Sequence, residues 1–401
     1  MPLLVPTTTT LPDKAACDLE AVLATFESWL AAQDYRGYDP HDALNSPFLE
    51  FLTGRSRVLG LVMLQLLKRS PVNLRPFFGI KPGCNAKGMG LFLEAYARLY
   101  AASGEQRYRQ RAESFARWLD ENSIRGYPGA CWGYDFPWAN RHFYAPRHTP
   151  NVVTTSFVGH ALLEFYQLTH HARWLHLAKS ACDFICRGLN RIPDGQTFSF
   201  SYTPLDEFCI HNANMLAAAL LARVAALTND VAYFELAESS MRYSLNRQQP
   251  EGAWLYGEAW HNRWIDSFHT GYSLVALKQF IDARQDGMGR EALARGARFY
   301  RQNFFDADGH VKYYHNKIYP LESHAFAHAL IALDELRDLI EDADELSMQI
   351  LQQCLRLFWD SSGFFYYRRQ RFFTIKTSFM RWTQAWMFLG LTRVYAREVR
   401  E

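Results

Sequence analysis

Between Gly252 and Leu277 the chain gathers two Tyr, three Trp, two His, Glu258, Asn262, Arg263 and Asp266, then turns into an ordinary apolar helix from about Thr270. A buried core does not need that mixture. A saccharide site does, because a pyranose ring offers apolar faces to aromatic rings and hydroxyls to charged or amide partners. Trp132, Trp254, Tyr256 and Trp264 are candidates to stack on sugar rings, with Tyr134 and Asn212 as further contacts. Arg263, Lys87 and Arg381 can hold a carboxylate, and His324 is a further binding candidate.

For proton transfer the candidates are His211, Asp266, His269, Tyr256, Tyr202 and Glu258, with Asp206, Glu207, Asp135 and Glu322 as further carboxylates. Hydrolysis of a glycosidic bond needs two carboxylates roughly 5–10 Å apart. The sequence supplies enough of them but singles out no pair; Asp266 with Glu258 or Asp206 is one choice. Epimerisation needs acid/base groups on both faces of one carbon, which His and Tyr can serve. The His and Tyr around this stretch fit that demand better. Cys209-x-His211, joined by His269, His324 or Asp266, has the elements of a zinc site, but one such spacing is a weak signal and no metal or other cofactor is expected.

These residues need a scaffold that brings distant positions together, and a repeat provides it. Ala112 to Trp118, Ala178 to Phe184, Ala237 to Tyr243 and Ala294 to Tyr300 share a small residue followed six positions later by an aromatic one. Gln352 to Phe358 is a degenerate fifth copy and Leu23 to Trp29 serves as a sixth. Successive copies from position 112 onward lie 66, 59, 57 and 58 residues apart. Such a period marks a repeat architecture. Ahead of the copies lie helices apolar nearly all round, predicted at 87–101, 154–168, 213–227, 270–283 and 324–340, with 378–396 closing the series; such helices are buried in a bundle. The copies carry charge on one face and are the outer partners. The expected fold is all-α, an (α/α)6 toroid of six hairpins. An open solenoid is the alternative, but an N-terminal helix left to pair with the last favours closure.

Short alternating aromatic segments at 131–136, 198–202, 253–256, 311–314 and 364–368 precede the inner helices and read as β-like loop strands on one face. On that face the inner helices begin with Asn85 and Lys87; Asn151 and Thr154; His211, Asn212 and Asn214; Asp266 and His269; Glu322 and His324; Thr377 and Arg381. Capping explains the Asn, Thr and Asp, but not three His and an Arg at equivalent places. Residues 34–86 break the repeat. They are expected to drape over the mouth of a single 1–401 domain rather than to form a second one, with a helix near 53–69.

Composition narrows the class. The chain has 401 residues, 49% hydrophobic, 15% aromatic and 21% charged, with 43 basic and 41 acidic residues and a formal charge of +2. Without a basic run or face, nucleic acid is not the expected partner. No stretch is long and apolar enough to span a membrane. The segment Met1 to Lys14 lacks a basic n-region, so no signal peptide is expected. Seven scattered Cys suggest free thiols and a cytoplasmic protein, with Cys182 and Cys186 as core residues on one helix face. No phosphate-cradling glycine loop is present.

Tyr38-Asp-Pro-His-Asp-Ala-Leu-Asn-Ser-Pro47, Asn73-Leu-Arg-Pro76, Cys131-Trp-Gly-Tyr134, His211-Asn-Ala-Asn214 and Arg263 to Tyr272 resemble bacterial polysaccharide-biosynthesis proteins of the VpsJ type. The resemblance covers most of the chain and implies an (α/α)6 fold and a place in exopolysaccharide, capsule or lipopolysaccharide assembly. More remotely, Leu255-Tyr256 followed by Arg263-Trp-Ile-Asp-Ser-Phe-His-Thr270 is similar to the helical domain of glucuronyl C5-epimerases. That similarity implies Tyr256, Arg263, Trp264, Asp266 and His269 as site residues. It also places Phe268, which has no proton to give, where those enzymes carry a second catalytic Tyr. Under it, His211, His269 or Tyr202 takes that role. The favoured expectation is a uronosyl-type sugar epimerase acting on an oligosaccharide, polysaccharide or sugar conjugate. A glycoside hydrolase or lyase, and a non-catalytic glycan-binding protein, are the rivals.

Overall fold

In the computed structural model, residues 18–49 and 56–399 are described. Met1 to Lys14, Cys17 and positions 53–55 of the expected helix lie outside them. Six inner helices form a ring: α3 (Ala86–Ser103), α5 (Val152–Thr169), α7 (His211–Thr228), α9 (Ser267–Arg284), α11 (Ser323–Glu335) and α13 (Ala385–Glu398). Each packs on the next, and α13 packs back on α3. The ring is closed, not an open solenoid. Outer helices α4 (Gln106–Glu121), α6 (Ala172–Gly188), α8 (Val231–Leu245), α10 (Arg290–Phe304) and α12 (Ala343–Phe358) each cover the inner helix before them, while α1 (Leu19–Ala32) covers α13. The fold is the (α/α)6 toroid.

Periodicity explains the two layers. Inner α7 buries nearly its whole circumference, from Met215 through Ala222 without a break, whereas outer α4 buries only the stripe Tyr108, Ala112, Phe115, Ala116 and Leu119. One hydrophobic cluster runs through both layers from Leu19 to Val394, and Cys182 and Cys186 are part of it. Asn85, Asn151 and Asp266 cap α3, α5 and α9 through their side chains, so at three of the six inner helices a rim residue has an ordinary structural job.

Three expectations need correction. The predicted helix 378–396 is interrupted: Met380–Gln384 is a π-helical turn, and α13 proper begins at Ala385. A π-turn inserts a residue and turns side chains off the helical register. The predicted helix 324–340 ends at Glu335, where the chain enters turns. The aromatic segments are only partly strands. Thr197–Phe200 pairs with Arg191–Asp194, Phe364–Phe365 with Trp359–Asp360, and Arg368–Arg369 with both Leu321–Glu322 and Thr374–Ile375. The stretches 131–136 and 253–256 form no regular strand, Gly133 making a single bridge to Pro150.

The segment 34–86 contributes a 3₁₀ turn, Asp42–Asn45, and helix α2 (Arg57–Arg69). Ala43, Leu49, Leu64, Leu67 and Ile80 form a small core of their own there. Buried Arg75 ties it together by donating to Asp42 Oδ1 at 2.7 Å and to the Asp39 carbonyl at 2.9 Å.

Candidate active site

Asp266 does three things at the start of α9. Its Oδ1 accepts from the backbone N–H of His269 at 2.9 Å and closes the first helical turn. Its Oδ2 accepts from His269 Nδ1 at 2.7 Å and from Trp264 Nε1 at 2.9 Å. A carboxylate only accepts, so a proton sits on His269 Nδ1, and in the neutral ring Nε2 carries the lone pair. Asp266 is 2% exposed and thus locked, while the His269 side chain is 22% exposed. Tyr256 stacks on Trp264 at 4.4 Å and lies 4.5 Å from the His269 ring, so the aromatic wall and the dyad are one unit.

His269 faces a cavity of about 140 Å³ at the mouth, the scale of one sugar unit rather than several. Its lining draws on five of the six inner elements and on the loops above them. Lys87 comes from α3, Val153 from α5, Asn212 from α7, Phe268 and Tyr272 from α9, and Arg381 and Trp382 from the π-turn. Tyr134, Phe136, Trp138, Tyr202 and Tyr256 come from the loops, and His41 from the 34–86 segment. Tyr134 and Tyr202 join hydroxyls at 3.0 Å. Buried Asn212 Oδ1 has no hydrogen-bond partner, which leaves an acceptor open beside the cavity.

The charges differ in how they are held. Arg381 donates to Asp39 through Nε at 2.6 Å and Nη2 at 2.8 Å, a bidentate pair between residues 342 apart in sequence. Lys87 Nζ pairs with no carboxylate among the described residues; the rings of Phe157, Tyr272 and Trp386 surround it at 4.3, 5.0 and 5.0 Å. Burial, reinforced by Arg381, pulls its ammonium well below the usual lysine range and disfavours the charged form, which an arriving anion would restore by pairing with it. Burial pushes the phenols of Tyr202 and Tyr272 well up, and both stay protonated at neutral pH.

Several expected site residues sit elsewhere. His211 uses both ring nitrogens, Nδ1 with Ser244 Oγ at 3.2 Å and Nε2 with Glu258 Oε1 at 2.7 Å, and lines no part of the cavity. Glu258 is held there, its carboxyl pulled below the usual range first by the His211 hydrogen bond. Asp206 is spent on the backbone N–H groups of Tyr202, Thr203 and Phe208, a turn-forming role that shapes the Tyr202 loop. Fully buried Glu322 accepts from Arg368 and from Trp382 Nε1 at 2.6 Å, so it orients a cavity wall. Asp135 accepts from Asn85 at 2.8 Å. Trp132 and Trp254 are buried and donate to the carbonyls of Leu119 and Ser244, as core residues do; only Trp254 reaches the edge of the dyad's pocket. Arg263 is exposed outside the cavity. His324 is fully buried behind Tyr272, its Nε2 2.6 Å from the phenol oxygen; burial, then Lys87, holds it neutral. Among the described residues, Cys209 and His211 join no metal-ligand set with His269, His324 or Asp266.

Sequence reasoning missed His41, Phe136, Trp138, Tyr272 and Trp382 as lining residues and Asp39 as the partner of Arg381. The signal for two of them was present, since Asp39 and His41 lie in the Tyr38 to Asn45 motif. Tyr272 was masked by its place in an apolar helix.

No protein-family model matches the sequence, and no curated protein does. Solved structures do. The chain is similar to cellobiose 2-epimerase from Bacillus thermoamylovorans at 13% identity and a TM-score of 0.63, over 78% of this chain and 88% of that one. It is similar to a possible GH105 family member from Klebsiella pneumoniae at 13% identity and a TM-score of 0.64, covering 98% and 96%. A GH76 α-mannanase from Bacteroides thetaiotaomicron matches at 13% identity and a TM-score of 0.60, covering 80% and 88%. At these identities the likeness establishes the shared toroid.

Proposed function

We propose that the protein is a carbohydrate-active enzyme, specifically a sugar epimerase of the uronosyl type, working in polysaccharide assembly. The observation that carries the reading is the Asp266–His269 dyad, whose histidine lines a cavity for one sugar and has no partner at Nε2 among the described residues. His269 takes the proton from the carbon beside the sugar carboxylate. Lys87 meets the carboxylate as its charge builds in the enolate-like intermediate. Tyr202, hydrogen-bonded to Tyr134, returns a proton to the other face, and solvent restores both groups. Asn212 takes a sugar hydroxyl, and Tyr256, Trp138 and Trp382 supply the flat apolar walls.

The fold is shared with epimerases and glycoside hydrolases alike, so support for one over the other comes from the site. Hydrolysis by two carboxylates has little support. Among the described residues lining the cavity and the dyad's pocket, Asp266 is the only carboxylate, and its oxygens are engaged by Trp264 and His269. Glu258 and Asp206 are committed to other partners.

Incubation with uronosyl-containing glycans in deuterated water tests the reading. Solvent deuterium is expected at the inverted carbon. New reducing ends without deuterium would make the protein a hydrolase, and new reducing ends with unsaturated sugar would make it a lyase.

A further inference from the structure

Helix α2 is apolar on both sides. Leu64 and Leu67 face the small core, but Val58, Val62 and Leu66 remain 71, 49 and 57% exposed. Beyond the helix, Leu74 is 40% exposed. Together they line a groove of about 1350 Å³ that runs from α2 to the loop at Trp138–Arg141. So large an apolar surface on a helix is covered by something when the protein works.

Two observations identify the occupant. The groove and the sugar cavity share His41 and Trp138 as lining residues, so the two adjoin at these side chains. Basic groups gather where they meet. Lys68 Nζ lies 3.3 Å from His41 Nε2, and exposed Arg69 and Arg141 line the groove, ion-paired to no described residue. A molecule that fills both compartments has a sugar at one end, an anionic link in the middle and a long hydrocarbon chain at the other end.

We propose that the substrate is a lipid-linked saccharide, joined through phosphate to a long hydrocarbon chain that lies in the α2 groove while its sugar occupies the His269 cavity. This rests on the sugar-site reading above and names its substrate class. The chain gives anchorage by burying apolar surface against Val58, Val62, Leu66 and Leu74, and Arg69 and Arg141 meet the phosphate.

Dodecyl phosphate, kept below its micelle concentration, is the probe for the groove, with uncharged dodecyl maltoside beside it. Calorimetry on the full chain should show both binding. The double variant Val62→Glu, Leu66→Glu should weaken both at least tenfold, with melting temperature and circular dichroism retained. Arg69→Glu with Arg141→Glu should weaken dodecyl phosphate alone. Absence of binding, or binding indifferent to the Val62 and Leu66 substitutions, overturns the proposal. So does a shift from dimer to monomer in that variant, which assigns the groove to a second copy. Adsorption to phosphatidylglycerol vesicles without binding of the monomeric probe assigns it to a membrane surface and also overturns the proposal. Deuterium exchange on soluble glycans is a separate readout. Exchange without probe binding removes the groove's role alone, and probe binding without exchange removes the sugar chemistry alone.

Discussion

His211 and His269 occupy equivalent places, each in the first turn of an inner helix and each beside a carboxylate. They end up with opposite fates. Glu258 takes Nε2 of His211 and Ser244 takes the other nitrogen, so the ring is a strut between α7, α8 and the loop above. Asp266 takes Nδ1 of His269, and among the described residues none takes Nε2 of that cavity-lining ring. The difference comes from the carboxylate's place in the chain. Asp266 caps the same helix three residues before its histidine and orients the ring while binding the backbone, whereas Glu258 reaches in from a neighbouring loop. A place at the rim does not by itself fit a histidine for proton transfer; the proposed role needs one nitrogen spoken for and the other free.

Substitutions can break this contrast. His269→Gln removes the proposed base and should lower turnover by about 10²–10⁴-fold, the usual worth of a positioned acid or base. Steady-state rates on the responsive glycan check it, with the melting temperature held within a few degrees of wild type. Asp266→Asn keeps an acceptor for the helix cap, so folding should survive, but the amide cannot hold both donors as the carboxylate does. A loss of about 10²-fold in kcat is expected, with KM changing little. His211→Ala should behave differently. It strands Ser244 and Glu258 and should cost about 1–3 kcal/mol in denaturant melts, with turnover within a few-fold of wild type.

A smaller effect concerns pH. Burial holds His324 and His328 well below the usual histidine range and His160 down at about 3. His160 Nδ1 sits 3.0 Å from a guanidinium nitrogen of Arg223, which cannot accept, so the ring must take that bond as a neutral acceptor. A depressed folded-state value means the unfolded chain binds protons first. The stability tied to these groups is therefore whole above pH 6.5 and lost as pH falls below it, by up to about 1.4 kcal/mol per pH unit for each histidine. Guanidinium melts between pH 7 and 5 should show that acid limb, and His160→Gln should flatten it by one histidine's share.

The toroid was legible because its signals are local. Periods of near 58 residues and helices apolar all round survive in a single chain without reference to partners, and the capping roles of Asn85, Asn151 and Asp266 read straight from position. The site was legible only in part. Asp266, His269, Tyr256 and Trp264 form one contiguous stretch, and the structure keeps them together. What escaped depends on contacts between distant segments. Arg381 reads as a free cation until Asp39 is brought to it, and Trp382 reads as an ordinary helical aromatic until the π-turn rotates it into the mouth. Glu258 and Asp206 read as catalytic carboxylates because residue type says nothing of which donors a loop will bring to them.

The most direct test measures solvent deuterium entering the sugar in three proteins side by side: wild type, His211→Gln and His269→Gln. Incorporation in the first two and none in the third is the predicted result. Exchange that persists without His269, or that disappears equally with either histidine, would contradict the assignment of the dyad as the proton-transfer centre.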